Sequence, residues 1–271
     1  MRFAITGAIM VGILVVGAPT AQASDPSRLS TGYFKGLVSH TTSVLTSPLA
    51  WHSSNWIRLT LIMSIATIAA DDEEELQAWV QKRRNTNTDR IAGFVRPFGD
   101  GKYTMPALAT LYAYGHFADN TKARRTALLG VESFIINGVL TGIIKHVTHK
   151  HRPAPGNLDD VRWDGPDAGV ANRAFPSGHT SSAFAVATVV ASEYEDTGLV
   201  GPLAYGAATL CGLSRMNDNA HWLSDVIIGA ALGHFTARAV MGMHGRPERR
   251  CFEIQPALTE TRAGLSLAYR F

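Results

Sequence analysis

The sequence has little net charge and little of the pattern that forms strands. Its 271 residues carry a formal net charge of only +3, so nucleic acid is not an obvious partner and we predict none. It also lacks an internal repeat and a long low-complexity linker. Alternation typical of strands is almost absent before the C-terminal end. These absences favour an all-α fold, a helical bundle with one long loop.

Long apolar runs are also missing beyond the N-terminus. A membrane-spanning helix needs about 20 apolar residues, and the uncharged runs 59–70, 133–144 and 226–237 are shorter. We therefore favour a soluble exported protein that can contact a membrane peripherally. An integral membrane protein remains the alternative, because functional charges do occur inside membrane bundles.

The N-terminus has the pattern of an export signal. Arg2 precedes an apolar segment, and the segment AQA that ends at Ala23 supplies the small-x-small pattern of a cleavage site. We predict cleavage near Ala23 and a periplasmic or envelope-associated protein, with a retained membrane helix as the alternative. In such a compartment Cys211 and Cys251 can form a disulfide, or Cys211 is simply a buried thiol.

Helical periodicity recurs along most of the chain. We interpret the acidic run 71–75 as a solvated helix end, because calcium would need ligands spread around a turn. The Ser/Thr-rich segment 24–54 is predicted to wrap loosely over the core. The predicted helices are 56–70, 76–84, 106–118, 124–145, 180–195, 200–215 and 221–241, and the predicted loop is 153–174.

The tail differs from the rest of the chain. Leu265, Leu267, Tyr269 and Phe271 alternate with small or polar residues, which predicts a strand paired in a hairpin with 251–255. An aromatic final residue after such alternation also resembles the last strand of an outer-membrane barrel. One hairpin cannot close a barrel, so we favour a hairpin packed on the bundle.

The stretch KHVTHKHRP, residues 145–153, concentrates basic side chains. If the preceding helix continues to Arg152, then Lys145 and Arg152 share a face. His149 then lies near that face while His146 and His151 point elsewhere, so the three histidines cannot converge on one metal ion. Two cations on one face indicate an anion site. A solvated basic helix end is the alternative.

Two later motifs lie at predicted helix ends. In FPSGHT, Ser177 is placed to cap a helix, Gly178 lets the backbone approach a ligand, and His179 lies in the first turn. The free amides of a helix start bind phosphate well. The alternative for this motif is a simple cap beside a surface histidine.

The third motif joins the ends of two predicted helices. Arg215 ends one helix, and His221 and Asp225 are four apart on the next, where they face the same way. A carboxylate that holds one imidazole nitrogen leaves the other nucleophilic. An ordinary surface His–Asp pair is the alternative.

Together the three motifs resemble the signature of the type 2 phosphatidic acid phosphatase superfamily. That superfamily also includes bacterial class A acid phosphatases and vanadium haloperoxidases. The resemblance runs from about Phe98 to Met241 and implies a helical bundle, no metal cofactor and a phosphohistidine intermediate. Its implied catalytic residues are the nucleophile His221, the general acid His179 and the orienting Asp225. Its implied phosphate ligands are Lys145, Arg152, Ser177, Gly178 and Arg215.

From this resemblance we expect a phosphoric monoester hydrolase whose substrate is a phosphorylated lipid or a small phosphomonoester. A vanadate-dependent haloperoxidase and a non-catalytic phosphate-headgroup binder are the alternatives. The oligomeric state stays open. The expected organisation is a signal peptide at 1–23, an N-terminal helical segment packed on the core at 24–97, a phosphatase core at 98–245 and a hairpin tail at 246–271.

Overall fold

The structure is a computed structural model that describes residues 26–153, 163–166 and 173–245, together with the backbone of 252–259 and 262–269. Nine α-helices lie within these ranges. They are α1 Thr31–Thr46, α2 Ser53–Asp71, α3 Glu73–Arg83, α4 Thr86–Val95, α5 Gly101–Phe117, α6 Thr121–Thr148, α7 Gly178–Glu193, α8 Val200–Asn217 and α9 Leu223–Met243. Short 3₁₀ segments occupy Ser47–Ala50, Arg96–Gly99 and Glu195–Thr197.

Helix α7 lies at the centre of the bundle and packs against α6, α8 and α9. Small residues allow a close approach between α7 and α9. A Cβ atom at Gly233 would lie 2.0 Å from the Ser181 carbonyl oxygen, so no larger residue fits there without moving a backbone. The largest apolar cluster joins α1, α2, α6, α7 and α9, and it includes the fully buried Leu129, Ile136 and Val189. Burying each such side chain contributes roughly 1.5–3 kcal/mol.

Two helices were not predicted from the sequence. Helix α1 falls in the Ser/Thr-rich segment expected to wrap loosely over the core, and that expectation is wrong. Its hydroxyls bond back to the carbonyls one turn earlier, for example Thr41 to Leu37 at 2.7 Å and Thr46 to Thr42 at 2.9 Å. Such bonding lets hydroxyl residues occupy a helix despite their preference for caps and turns.

Helix α4, which was not predicted, begins with a recognisable N-terminal cap. The Asn85 side chain accepts from the amides of Asn87 and Thr88, and the Thr88 hydroxyl accepts from the Asn85 amide, which completes a capping box. This reciprocal pattern is a sequence-level signature of a helix N-terminus.

The predicted helices are present, but several begin or end elsewhere. Helix α5 begins five residues before Pro106, because the Asp100 side chain caps it by accepting from the Lys102 amide at 3.0 Å. Helix α6 ends at Thr148, where His149 adopts a left-handed conformation with φ of 41°. The helix thus extends three residues beyond the predicted end at Lys145, and it stops before Arg152, so the condition under which Lys145 and Arg152 share a helical face is not met.

The C-terminal hairpin is confirmed, and its first strand is longer than predicted. Strands β1 Phe252–Thr259 and β2 Arg262–Tyr269 pair antiparallel, with Phe252 opposite Tyr269. The all-α class with a short terminal hairpin is thus confirmed. Cys211 is a buried free thiol. The signal peptide 1–23, Cys251 and most of the loop 153–174 lie outside the described residues.

Two helices are long and apolar enough to span a membrane by length and composition, α6 and α9. More than half of the most apolar window of each is buried inside the bundle, as in the core helices of soluble proteins. Large apolar side chains also remain exposed on other helices, including Ile65 and Ile68 on α2 and Phe117 on α5. Ile65 and Ile68 are three apart on one helix and lie side by side, and exposed apolar patches occur on proteins that contact a membrane or a partner. These features indicate membrane association.

Candidate active site

The start of α7 has the capping geometry that the sequence predicts. Ser177 is the N-cap, and its hydroxyl accepts from the Thr180 amide at 3.4 Å and from the Thr180 hydroxyl at 2.8 Å. The amides of Gly178 and His179 lie in the first turn, where a helix supplies no acceptor of its own. They are therefore available to an anion.

His221 lies just before α9 instead of in its first turn, which corrects the expectation that it opens that helix. Trp222 is the N-cap, and its amide donates to Asp225 Oδ2 at 3.0 Å. The same Oδ2 lies 3.5 Å from His221 Nδ1, which is longer than a short hydrogen bond. The residue pair predicted from its spacing is thus in contact. The other imidazole nitrogen, Nε2, is the one left for chemistry.

The second and third motifs are joined directly through the backbone. The Ser177 amide donates to the Asp225 carbonyl oxygen at 3.0 Å. This bond holds the α7 start against the α9 start, although the two residues are distant in sequence. His179 and His221 are therefore positioned by the same junction.

A buried ion-pair network lies behind Asp225. Lys150 Nζ contacts Glu73 Oε1 at 2.8 Å, Ser224 Oγ at 2.8 Å and Asp225 Oδ1 at 3.1 Å. Ser224 in turn donates to Glu73 Oε2 at 2.5 Å. Lys150 and Glu73 are each 1% exposed. The expectation that the acidic run 71–75 is a solvated helix end is thus wrong for Glu73, which α3 brings into the core beneath the site.

Burial is the largest influence on Glu73 and raises the pKa of its carboxyl, against the opposing effect of Lys150. Sequence reasoning missed this network because Lys150 and Glu73 are 77 positions apart. Only the unusual Glu-rich start of a helix could have signalled it. The network fixes Asp225 from the side opposite His221.

Lys145 lies beside the α7 start. A Cβ atom at Gly178 would be 3.8 Å from Lys145 Cε. Lys145 Nζ donates to the carbonyl oxygens of Arg173 at 2.6 Å and Ala174 at 3.1 Å. Carbonyls neutralise no charge, so the ammonium keeps its attraction for an anion.

Arg215 and Arg152 reach the same region from two other segments. Arg215 Nη1 donates to Asp218 Oδ2 at 2.7 Å, and its buried Nε has no partner among the described residues. A buried guanidinium N–H without an acceptor is costly and therefore points to a ligand. Arg152 is exposed on the segment after α6, and it cannot share a helical face with Lys145 because that helix has already ended.

The two catalytic candidates are neutral imidazoles near neutral pH. Burial lowers the pKa of His221 to about 4, with Asp225 opposing and the cations Lys145 and Arg152 adding to the shift. Burial also lowers the pKa of His179 to about 4, aided chiefly by Arg215. Since Lys145 acts on both imidazoles, the three sequence motifs converge on one electropositive site.

Three further residues of this site were not predicted, namely Gly99, Arg96 and Asp218. A Cβ atom at Gly99 would lie 2.1 Å from the His179 carbonyl oxygen, so only glycine lets this turn approach the α7 start. Arg96 Nη1 lies 3.3 Å from Asp218 Oδ2 and shares that carboxylate with Arg215. The turn after helix α4 thus forms one side of the site, a role that a glycine in a turn does not reveal by sequence alone.

The remaining histidines of the basic stretch do not gather into a metal site. His151 Nε2 lies 2.6 Å from Asp164 Oδ2, and His149 is fully buried as the C-cap of α6. The rings of His146 and His149 are 5.5 Å apart. Within the described ranges, the groups that could hold a metal ion include none of these three residues.

An apolar cavity of about 380 Å³ lies between α3, α4, α8 and the start of α9. Its walls include Leu76, Ile91 and Leu213. Ser214 and Leu223 also line it, and these residues neighbour Arg215 and Trp222 in the chain. A volume of this size falls in the range of small-molecule sites.

Part of the chain is similar in sequence to known proteins. Residues 126–249 match the family model of the PAP2 superfamily. A Lipid A 1-phosphatase of Porphyromonas gingivalis is 46% identical over 69 residues, which are 25% of this chain and 15% of that protein. The aligned part is thus a small fraction of that relative's length.

Two solved structures are similar in fold. The transmembrane PAP2-type phosphatidylglycerolphosphate phosphatase from Bacillus subtilis has a TM-score of 0.48 and 18% identity, over 68% of this chain and 94% of that chain. Aquifex aeolicus LpxE has a TM-score of 0.49 and 22% identity, over 62% of this chain and 93% of that chain.

The match to the PAP2 superfamily model is confined to residues 126–249, a little under half of the chain. The matched segment contains the residues of all three motifs. It leaves out the turn at Gly99 and the helix that carries Glu73.

Proposed function

We propose that this protein is a membrane-associated phosphatase that hydrolyses the phosphomonoester of a lipid through a phosphohistidine intermediate, without a catalytic metal ion. The observation that carries the proposal is a neutral, buried His221 held against Asp225 and surrounded by converging cations. A nucleophilic imidazole needs its lone pair free, and the lowered pKa provides this at neutral pH.

In the first step, His221 Nε2 attacks phosphorus and the bond from phosphorus to the leaving oxygen breaks. His179 gives its proton to that oxygen. In the free protein His179 is neutral near pH 7, but a bound phosphate anion favours its charged form and raises its pKa. His179 therefore becomes a competent acid only when substrate is present.

In the second step, water attacks the phosphohistidine while His179 takes the proton of that water. The bond between Nε2 and phosphorus breaks, and inorganic phosphate leaves. Asp225, held by Lys150 on its other oxygen, stabilises the positive charge that His221 acquires in the intermediate.

The phosphoryl oxygens are bound by Lys145, Arg152 and Arg215, with Ser177 and the Gly178 amide at the helix start. Charge spreads over these oxygens during phosphoryl transfer, so fixed donors lower the barrier. The unpartnered Arg215 Nε is a donor that the bound phosphate can satisfy.

A lipid substrate is supported by two features. The apolar cavity between α3, α4 and α8 offers a place for hydrocarbon, and its lining residue Ser214 precedes Arg215 in the chain. The related protein of Porphyromonas gingivalis is named for its action on lipid A. We further propose export by cleavage near Ala23 to a periplasmic or envelope location, with the phosphatase core at 98–245 between an N-terminal segment at 24–97 and the tail at 246–271.

The test is phosphate release by the purified chain in detergent micelles with EDTA present. Phosphatidic acid, phosphatidylglycerophosphate and lipid A phosphate are compared with a soluble aryl phosphate. We expect release that survives chelation, prefers a lipid and disappears in His221→Ala. His116→Ala, which changes an exposed histidine on α5, is the matched control and keeps full activity.

Other outcomes would contradict the proposal. Equal activity of His221→Ala and the wild type refutes the phosphohistidine route. Trapping a ³²P-labelled protein by acid quench in the wild type, and not in His221→Ala, is the direct observation of the intermediate. Peroxide-dependent halide oxidation after adding vanadate, without phosphate release, would assign the site to haloperoxidase chemistry instead.

A further inference from the structure

Three buried side chains from distant segments meet away from the phosphate site. His40 lies on α1, Glu132 on α6 and His244 immediately after α9. Glu132 lies between the two imidazoles: Oε1 is 2.6 Å from His40 Nδ1, and Oε2 is 2.8 Å from His244 Nε2. Their side chains are only 1–3% exposed. The proposed phosphatase mechanism uses none of them.

The donor atoms of this cluster are arranged around one point. One ligand atom from each residue lies within 4.8 Å of the other two. The two imidazole rings cross at 87° with centroids 4.9 Å apart, so they approach the carboxylate from different directions. Two imidazoles and a carboxylate are a ligand set typical of zinc and of other divalent first-row metals.

Nothing else among the described residues fixes the tautomer of His244. Its Nδ1 is buried and has no hydrogen-bond partner there. At 2.8 Å from the carboxylate, Nε2 carries the proton and donates it to Glu132 Oε2. A metal ion would take the place of that proton, and the imidazole would then be protonated at Nδ1, with the Nε2 lone pair directed at the ion. This is the form in which neutral imidazole binds a metal ion.

We propose that His40, Glu132 and His244 bind one divalent transition-metal ion, best matched by Zn²⁺. Ligands that lie about 2.0–2.2 Å from zinc in tetrahedral geometry are about 3.3 Å from one another. The present contacts are 2.6 and 2.8 Å. Binding therefore needs the two His–Glu contacts to widen by roughly half an ångström or slightly more, while the imidazole nitrogens, now within 4.8 Å of each other, take up positions on the same ion.

The position of the cluster indicates a structural ion. Glu132 precedes Lys145 on α6 by 13 residues, which is roughly 20 Å along a helix axis. With such low exposure, the cluster gives a substrate no access to the ion. Bound metal would tie α1 to α6 and to the end of α9, and its binding free energy would add to the free energy of unfolding.

The first experiment measures metal content and spectra of the full chain. The protein is purified in detergent without chelator, and zinc is quantified by mass spectrometry. It is then stripped with a chelator and titrated with Co²⁺, whose d–d absorption reports tetrahedral coordination by nitrogen and oxygen. We expect about one metal ion per chain and a rise in Tm when Zn²⁺ is restored to the stripped protein.

Glu132→Gln is the decisive variant, because glutamine can still hydrogen-bond both imidazoles but is a poor metal ligand. We expect it to lose the cobalt spectrum and at least roughly nine-tenths of the bound zinc. Glu193→Gln is the matched control. It changes another buried glutamate, which contacts Arg125 at 3.2 Å, and it keeps the metal. His40→Gln provides a second loss-of-metal variant should Glu132→Gln not fold.

Two results would overturn this proposal. One is a wild-type chain that takes up neither Zn²⁺ nor Co²⁺, which makes the cluster a hydrogen-bonded triad only. The other is metal content that stays unchanged in both variants, which places the ion elsewhere. The phosphatase proposal is tested separately: stripped protein assayed well below its Tm should still release phosphate. Loss of release there, with normal metal binding, counts against the mechanism and leaves the metal site intact.

Discussion

Helix α6 carries two polar clusters that contrast in how completely their charges are satisfied. At Glu132, one carboxylate accepts from two imidazoles at 2.6 and 2.8 Å. At Lys145, cations gather around a looser histidine–carboxylate contact of 3.5 Å, and Arg215 Nε remains buried without a described partner. The first cluster holds helices together. The second leaves a buried guanidinium donor unsatisfied among the described residues, as the proposed anion site requires.

The same contrast accounts for the shorter histidine–carboxylate distances at Glu132 and the longer distance at Asp225. Asp225 is already held by the Trp222 amide and by Lys150, so it does not depend on His221 for its position. A catalytic imidazole must change its charge during the reaction, and a carboxylate anchored by other groups can stabilise both forms. Glu132 is anchored by its imidazoles themselves.

The largest expected effect is a loss of kcat when Asp225 is replaced, which the corresponding change at Glu132 should not cause. Asp225→Asn keeps the size of the side chain but loses the charge that orients and stabilises His221, so kcat should fall by about 10³–10⁴-fold. Glu132→Gln should instead lower Tm and metal content. Steady-state phosphate release and thermal unfolding of both variants check this. A larger loss of kcat in Glu132→Gln than in Asp225→Asn would contradict the division of roles.

The second prediction concerns the buried pair behind Asp225. Glu73→Gln leaves Lys150 buried with one anion fewer, and breaking a buried pair in this way costs about 3–5 kcal/mol of stability. Glu75→Gln, an exposed glutamate two positions on, should cost almost nothing and serves as the control. Thermal or denaturant unfolding measures the difference. Equal stability of the two variants would show that the pair is not formed.

A double variant tests whether Lys150 positions Asp225 for the reaction or only stabilises the folded chain. Glu73→Gln combined with Lys150→Met removes both charges, so it should recover part of the lost Tm. It should still reduce kcat, because Asp225 loses the contact at 3.1 Å that fixes its Oδ1. Full recovery of both quantities would assign Lys150 a purely structural role.

The third prediction is a pH dependence of stability at the phosphate site. His221 has a pKa of about 4 in the folded chain, below the ordinary value of 6.5, so the unfolded chain binds its proton first as the pH falls. The stability from this group is full above pH 6.5 and is lost as the pH falls through 4. It amounts to as much as about 3 kcal/mol. Tm measured from pH 7 to 4 should fall less steeply in His221→Gln.

The smallest expected effect concerns the apolar cavity. Leu213→Gln puts a polar group in its wall, and we expect kcat/KM for a lipid phosphate to fall about three- to tenfold while the soluble aryl phosphate is unaffected. Leu203→Gln changes another exposed leucine of α8 outside the cavity and is the control. Equal losses for both substrates would show that the cavity does not hold the hydrocarbon chain.

Local sequence signals predicted much of this molecule correctly. The cap at Ser177 was foreseen because capping depends on residues within one turn, and the His221–Asp225 contact because a four-residue separation keeps two side chains close. The end of α6 was misjudged by several residues. Nothing in the local pattern requires His149 to adopt a left-handed conformation, and it does so where the chain turns toward Lys150 in the core.

The sequence by itself determined the helical class, the three motifs and the type of chemistry they can support, because each depends on short-range spacing. Only the tertiary structure decided which side chains from distant segments meet. Glu73 and Lys150 are 77 positions apart, and His40 and Glu132 are 92 apart. Periodicity shows which face of a helix is buried, but it carries no information about the partner that face will find. That choice is made by the packing of whole helices, which excludes water and leaves buried charges to pair with whatever the packing brings near.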